Sequence, residues 1–208
     1  NEIDQLVTEI DRVSTTTKFN ETYLLQGDAR GTVSATPTDQ TVTSKLADVK
    51  LNAAAGSELV AGDVVLGKVT AEVENNAGGA LIGDLSGSVL DALNGAKAGK
   101  ITITQKTDAG NTKLIDQYEV KGGTDGNTVV ATLTQAQLKK MGVNITAGAA
   151  VGNPGEMAIQ LKWNQTEQKD LQAGLSIKAE PANVTAAKLK ESGLKVGDEV
   201  KVTIKAEK

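Results

Sequence analysis

The side chains that could carry out chemistry in this chain of 208 residues are chiefly carboxylates, because histidine and cysteine are both absent. Without histidine there is no imidazole acid–base catalyst, no Ser-His-Asp triad and no HExxH zinc motif. Without cysteine there is no thiolate nucleophile, no thiolate metal ligand and no disulfide. Paired carboxylates of the glycosidase kind therefore remain as the candidate catalytic chemistry.

Six acids stand in or beside predicted strands and turns, where such a pair could form: Asp63, Glu72, Asp108, Asp116, Asp125 and Glu156. Sugar-binding clefts use aromatic platforms, and the chain has only one Phe, two Tyr and one Trp. No pocket pattern accompanies the acids, so we interpret them as solvated surface or turn residues. We predict no catalytic residue, no cofactor and no metal site, and no enzymatic activity.

Two other features have a functional and a structural interpretation. The GGTDGN run at 122–127 lacks the further acids of a calcium loop and the Lys-Ser/Thr of a P-loop. Since strand-like segments flank it, we predict a hairpin turn. Trp163 could be an exposed ligand platform, but it alternates with Ile159 and Leu161 on one strand face, which favours a core or half-core position.

Most of the chain after residue 45 has the period-two alternation of strands. The predicted strands are Val64–Val73, Lys100–Gln105, Lys113–Val120, Thr128–Leu133, Met157–Trp163, Gly174–Ala179 and Glu199–Lys205. The pattern predicts an α+β fold, mainly β: an N-terminal amphipathic helix segment followed by one or two small strand-rich domains with short helices.

Short helices with recognisable caps separate some of these strands. Thr134 opens TQAQLKKMG and Thr185 opens TAAKLKESG, each with Leu four residues later and a terminating Gly eight residues later. SGSVLDALNG, with Ser86, Leu90 and Gly95, is a third candidate. These similar segments reflect either a duplicated helix–turn–strand module or the recurrence of common cap and turn residues.

Turn signals suggest how the chain divides. We predict a helical segment, a turn and a connector over residues 1–44, a β-rich domain over 45–150, and a second β-rich domain or a continuation of the first over 151–208. If there are two domains, we expect the break near Asp108–Asn111 or Val151–Gly155, and the GNPG run at 152–155 is the sharper turn signal. The net charge of −4 lies wholly in residues 1–28. With no basic patch and no long apolar run, we predict neither nucleic-acid binding nor membrane insertion.

The first 14 residues predict an amphipathic helix, which the β-branched Thr15–Thr17 would end. Its apolar residues recur at helical spacing along one face, and they are Ile3, Leu6, Val7, Ile10 and Val13. A stripe of this kind must be buried against other helices. No later segment has a comparable stripe, so the sequence alone leaves the partner of this helix open, an intramolecular core included.

The same region resembles bacterial flagellin. The resemblance rests on four blocks within the first 28 residues: Glu9-Ile10-Asp11-Arg12-Val13, Thr15-Thr16-Thr17, Phe19-Asn20 and Leu24-Leu25. In that family the pattern closes the second N-terminal rod helix of the filament core and leads into the outer, variable region. Glu21 departs from the family, because many flagellins have Gly after the Phe-Asn pair.

The resemblance implies a structural subunit of the bacterial flagellar filament, which serves motility. It implies an extracellular location after export through the flagellar type III apparatus, with other flagellin subunits as partners in a homopolymer. An export chaperone and an innate immune receptor are partners implied for the family only. We expect the chain to be a trimmed, monomeric piece that displays the outer surface domains. The alternative is a secreted adhesion or carbohydrate-binding β-module.

Overall fold

A computed structural model describes residues 5, 18–19, 22–23, 46, 49–54, 57, 59–74 and 78–204. The predicted filament-core helix face lies outside these residues, as do most positions of the flagellin-like motif: Ile3, Leu6, Val7, Ile10, Val13, Glu9, Asp11, Arg12, Asn20, Leu24 and Leu25. Phe19 is described, in the short strand β1 (Lys18–Phe19), which pairs antiparallel with β2 (Thr22–Tyr23). The helix prediction therefore stays a prediction.

The fold is α+β and mainly β, as the sequence predicts. The remaining strands are β3 (Val49–Ala53), β4 (Gly62–Val73), β5 (Gly79–Leu81), β6 (Lys100–Thr107), β7 (Leu114–Gly122), β8 (Thr128–Leu133), β9 (Val143–Ile145), β10 (Glu156–Gln165), β11 (Leu175–Ala179) and β12 (Glu199–Ile204). All seven predicted strands are present, and Thr128–Leu133 has the predicted bounds. The strands that alternation did not reveal are short ones, β3, β5 and β9 among them.

One six-stranded antiparallel sheet, in the order β12-β4-β10-β6-β7-β8, organises the molecule. Two further strand pairs, β11 with β3 and β5 with β9, accompany it. The sheet combines four strands from residues 45–150 with two from residues 151–208. Asp108–Asn111 lies between β6 and β7, and the GNPG turn precedes β10, so the sheet continues past both proposed break points.

Alternating side chains divide the sheet into a covered face and an open one. Ile101 and Ile103 of β6, Val120 of β7 and Ile159 of β10 are fully buried among the core residues. Most of the residues that alternate with them are polar, and the open face carries ion pairs such as Lys162 with Glu72 and Lys106 with Glu119. The period-two alternation thus gives the sheet one face buried against the core and one face exposed to water, as the sequence predicts.

Among residues 78–204 the fold also has three short α-helices, α1 (Gly87–Gly95), α2 (Gln135–Lys140) and α3 (Ala186–Glu191), and two 3-10 helices, Gln168–Asp170 and Pro181–Asn183. The Thr134 and Thr185 side chains cap α2 and α3 as predicted, by accepting hydrogen bonds from the backbone N–H groups of Gln137 and Lys188. Each of these helices buries a single leucine, Leu138 or Leu189. Gly142 follows α2 with a φ of 91°, a left-handed value that ends the helix at little cost only for glycine.

The helix α1 differs from the other two. Ser86 occupies its N-cap position but makes no side-chain capping bond, and the buried residues are Val89, Ala92 and Leu93, with Leu90 only half-buried. Leu90 therefore matches the leucines of α2 and α3 in its sequence position but is less buried than they are. No helix among the described residues combines the length and the apolarity that crossing a membrane requires.

Candidate functional site

Two of the six candidate acids, Asp108 and Asp125, are acceptors within hairpin loops. Asp108, between β6 and β7, accepts hydrogen bonds from the Thr112 amide at 2.7 Å, the Thr112 hydroxyl at 2.7 Å and the Lys113 amide at 3.2 Å. Asp125, between β7 and β8, accepts from the Asn127 amide at 3.0 Å and from the Thr128 amide and hydroxyl, both at 2.9 Å. Both carboxylates therefore organise their own loop.

These hydrogen bonds also account for the acidity of the two groups. The Thr112 hydroxyl and amide, followed by the Lys113 amide, hold the pKa of Asp108 below its ordinary value. For Asp125 the Asn127 amide comes first, and the Thr128 amide and hydroxyl lower the pKa further. A lowered pKa keeps a carboxylate charged, which suits a turn acceptor and not a general acid. The GGTDGN run is a hairpin turn between β7 and β8, as predicted.

Three other candidate acids also have structural partners. Asp63 accepts a hydrogen bond from the Thr203 hydroxyl at 2.7 Å and so links β4 to β12. Asp116 accepts from the Gln135 amide at 2.9 Å, at the first residue of α2. Glu72 uses one carboxylate oxygen for Gln160 at 3.1 Å and the other for Lys162 at 2.9 Å.

The sixth acid, Glu156, is exposed at the start of β10. Within the part of the chain that the structure describes, no three acidic side chains gather as a metal-binding group. The six acids are spread over five different strands and loops. At five of them, all but Glu156, the structure brings together a turn, a strand pairing or a helix end.

Tyr118 is fully buried on β7, next to Leu133 of β8 in the sheet register. Burial raises the pKa of its phenol, and the negative charge of Asp116 raises it further. The ring therefore serves the core between the two strands. It does not provide a sugar platform.

Trp163 is half-buried and packs against the core, in agreement with the interpretation drawn from alternation. Its ring lies over Gly67, on the neighbouring strand β4, where any side chain would collide with it. The indole Nε1 is buried and has no hydrogen-bond partner. An unpaired buried N–H is unfavourable by about 1–3 kcal/mol, which makes this nitrogen the least satisfied polar group among the described side chains.

Trp163 also lines a groove of about 530 Å³ between the second half of β10 and the segment that leads into α3. Gln160, Lys162 and Gln165 of β10 and Glu72 of β4 contribute its polar groups. Small side chains form the opposite side, and these are Ala179, Ala182, Val184, Thr185 and Ala186. The groove exists because β6 pairs with β10 only as far as Gln160, while β10 continues to Gln165.

A buried amide that sequence reasoning missed organises the loops beside the sheet. Gln105 is 8% exposed, and its Oε1 accepts hydrogen bonds from the amides of Gly148 at 2.8 Å and Gly155 at 3.2 Å. Its Nε2 donates to the Ile115 carbonyl at 3.1 Å. The one available signal was its place in the alternation, because Gln105 falls on the same face as Ile101 and Ile103.

No protein-family model, no curated protein and no solved structure matches the chain. The flagellin resemblance therefore rests on the residues of the N-terminal blocks alone. The described part of the chain is a mainly β scaffold in which five of the six candidate acids hold turns, strands or a helix end.

Proposed function

We propose that the chain is part of a bacterial flagellar filament subunit and that its β-rich part is the outer, surface-displaying region. The observation that carries the proposal is the order of motif blocks, from Glu9-Ile10-Asp11-Arg12 through Phe19-Asn20 to Leu24-Leu25. In flagellins this order marks the passage from the filament core to the variable region. The amphipathic stripe before it is the kind of surface that coiled-coil subunit contacts use.

The described residues support this role in a more general way. Asp63, Asp108, Asp116 and Asp125 are hydrogen-bonded within the scaffold, and Glu72 is held by Gln160 and Lys162. The open sheet face carries ion pairs that suit contact with water. A display domain needs a stable scaffold with a solvated surface, and it needs no reactive group. We therefore also propose that the protein is not an enzyme.

Immunogold labelling tests the proposal directly. An antiserum raised against this chain should label the flagellar filaments of the source bacterium along their whole length. Labelling of the cell body with bare filaments would overturn the proposal and would favour a surface adhesin. Preimmune serum and a strain that lacks the gene are the matched controls.

A second experiment separates the filament core from the displayed region. In the full-length gene product, removal of residues 46–204 should leave filaments that still assemble, because the proposed subunit contacts lie before this region. Ile10→Asp should abolish assembly, since it puts a charge into the proposed helix interface. Glu9→Asp is the control, because it keeps the charge off the stripe. Assembly that survives Ile10→Asp would contradict the proposal.

The groove beside Trp163 favours one alternative, a carbohydrate-binding module. An aromatic ring, two amides and two charged side chains around a cleft of about 530 Å³ are the type of lining that sugars bind. Because Trp163 is the only tryptophan, its fluorescence reports on this groove alone. Saturable fluorescence changes with defined oligosaccharides, lost in Gln165→Ala, would support the alternative. A flat titration across a glycan panel would exclude it.

A further inference from the structure

The strand β8 (Thr128–Leu133) forms one outer edge of the six-stranded sheet. Among the described residues it pairs with β7 alone, so its other side presents backbone N–H and C=O groups that a further strand could bind. Its sequence, TVVATL, has no charged residue, no proline and no glycine. Natural sheet edges are usually protected by lysine, proline or a covering element.

The outward surface of this edge is also apolar. Val129 and Val130 are 43% and 45% exposed, and they are two of the four large hydrophobic side chains exposed in the described part of the chain. Both are exposed because of a β-bulge. Val120 pairs with Ala131 and Lys121 pairs with Val129, so Val130 is an extra residue, and strict alternation is interrupted.

From this edge we propose that β8 pairs, antiparallel, with β8 of a second copy of the chain. Self-pairing of an uncharged strand brings no like charges together, and it covers valines that otherwise meet water. The choice of a second copy rests on the proposed function, because a filament holds many copies of the chain at high local concentration. The contact thus extends subunit association from the filament core to the outer region.

The size of this contact sets its strength. A pair of six-residue strands covers far less than the roughly 1,200–2,000 Å² that stable protein interfaces bury. The bulge limits the contact further, since it divides the strand into two short regular parts, Thr128–Val129 and Ala131–Leu133. The chain is therefore monomeric in dilute solution, and the β8 contact forms only where copies are concentrated.

The absence of cysteine allows a clean crosslinking test on this chain. Single variants Val129→Cys, Val130→Cys, Ala131→Cys and Thr132→Cys are oxidised at high protein concentration, with Lys201→Cys on the opposite edge strand β12 as control. At least one β8 position should yield about tenfold more disulfide dimer than the control, because a two-fold strand pair holds facing residues within disulfide distance. Yields equal to the control at all four positions would overturn the proposal.

Sedimentation gives the second readout. Concentration-dependent association of the unmodified chain should disappear in Val130→Lys, whose fold is checked by circular dichroism. Val60→Lys is the matched control, because Val60 is 65% exposed and lies outside the sheet. Equal loss in both variants would indicate general hydrophobic association and would contradict an edge contact. Filament labelling by antiserum does not depend on either result, so the proposed function and the β8 contact can fail separately.

Discussion

The two edges of the main sheet, β12 and β8, occupy equivalent positions but are built differently. In β12 every second residue is buried, so that Val200, Val202 and Ile204 anchor the strand while Glu199 and Lys201 point to water. In β8 only Leu133 is buried, and the exposed residues are uncharged. One edge is thus anchored to the core and protected by charge, while the other is weakly anchored and unprotected.

The difference shows that a sheet edge can contribute to stability or to association, depending on its side chains. Glu199 and Lys201 form an ion pair at 3.4 Å along β12, and Thr203 binds Asp63 of β4. A strand added there would have to desolvate these charges. The edge of β8 has no such barrier. We therefore expect substitutions in β12 to affect mainly stability, and substitutions in β8 to affect mainly self-association.

The largest expected difference between the two edges is the loss of stability when one side chain on each is truncated. Ile204→Ala should lower the free energy of unfolding by about 2–5 kcal/mol, because it leaves a cavity under β12. Val130→Ala should change the free energy by no more than about 0.5 kcal/mol, since the side chain is already exposed. Urea denaturation of both variants measures the difference. Similar losses would show that β8 is anchored as firmly as β12.

The Gln105 amide connects the β8 side of the sheet to its loops. Gln105→Leu leaves the Gly148 and Gly155 amides without their acceptor and should destabilise the protein by about 1–3 kcal/mol. Hydrogen exchange should accelerate in β7 and β8, because the Gln105 side chain also holds the Ile115 carbonyl of β7.

Exchange in β12, at the far edge, should change less after this substitution. Gln160→Leu is the matched control, since the Gln160 amide bonds to Glu72 on the open face. Equal acceleration at both edges would mean that the two edges open as one cooperative unit, and the contrast between them would fail.

The capping box after β8 gives a smaller effect. Thr134→Ala removes the acceptor for the Gln137 amide and should reduce stability by about 1 kcal/mol. Ser86→Ala at the start of α1 should have little effect, because Ser86 makes no side-chain capping bond. Thermal unfolding of both variants distinguishes them. A larger loss from Ser86→Ala would contradict the assignment of the caps.

The smallest effect concerns the hairpin that precedes β8. The lowered pKa of Asp125 means that its carboxylate stabilises the folded state above the ordinary pKa, near pH 4, and that this contribution is lost as the pH falls through the lowered value. Asp125→Asn should therefore be less stable than the unmodified chain at neutral pH, and the difference should shrink below about pH 4. Denaturation midpoints between acidic and neutral pH measure it. A difference that is constant with pH would show that the charge is not responsible.

Local pattern was sufficient for the seven longer strands and for two of the helix caps. The strand β8 was predicted with its observed bounds because Thr128–Leu133 follows a turn signal and precedes the Thr134 cap. The short strands β5 and β9 were missed, because three residues are too few to show an alternation and they exist only through their mutual pairing.

The candidate acids also divide into those with nearby partners, which local pattern predicts, and those with distant partners, which it does not. Asp125 was correctly interpreted as part of a hairpin turn, because its hydrogen-bond donors are two and three residues away. The partners of Asp63 and Glu72 were not predictable, because Thr203 and Gln160 lie 140 and 88 residues further along the chain. Long-range hydrogen bonds of this kind follow from sheet order, which no local pattern encodes.

The sequence by itself determined that imidazole and thiol chemistry are absent, where most strands run, and which N-terminal residues resemble flagellin. Only the tertiary structure decided that β10 and β12 join β4, β6, β7 and β8 in one sheet, because strand order depends on contacts between distant segments. It also decided which edge is unprotected. Alternation from Leu133 back along β8 would turn Val129 inward, and the bulge at Val130, which arises only from pairing with β7, exposes both valines.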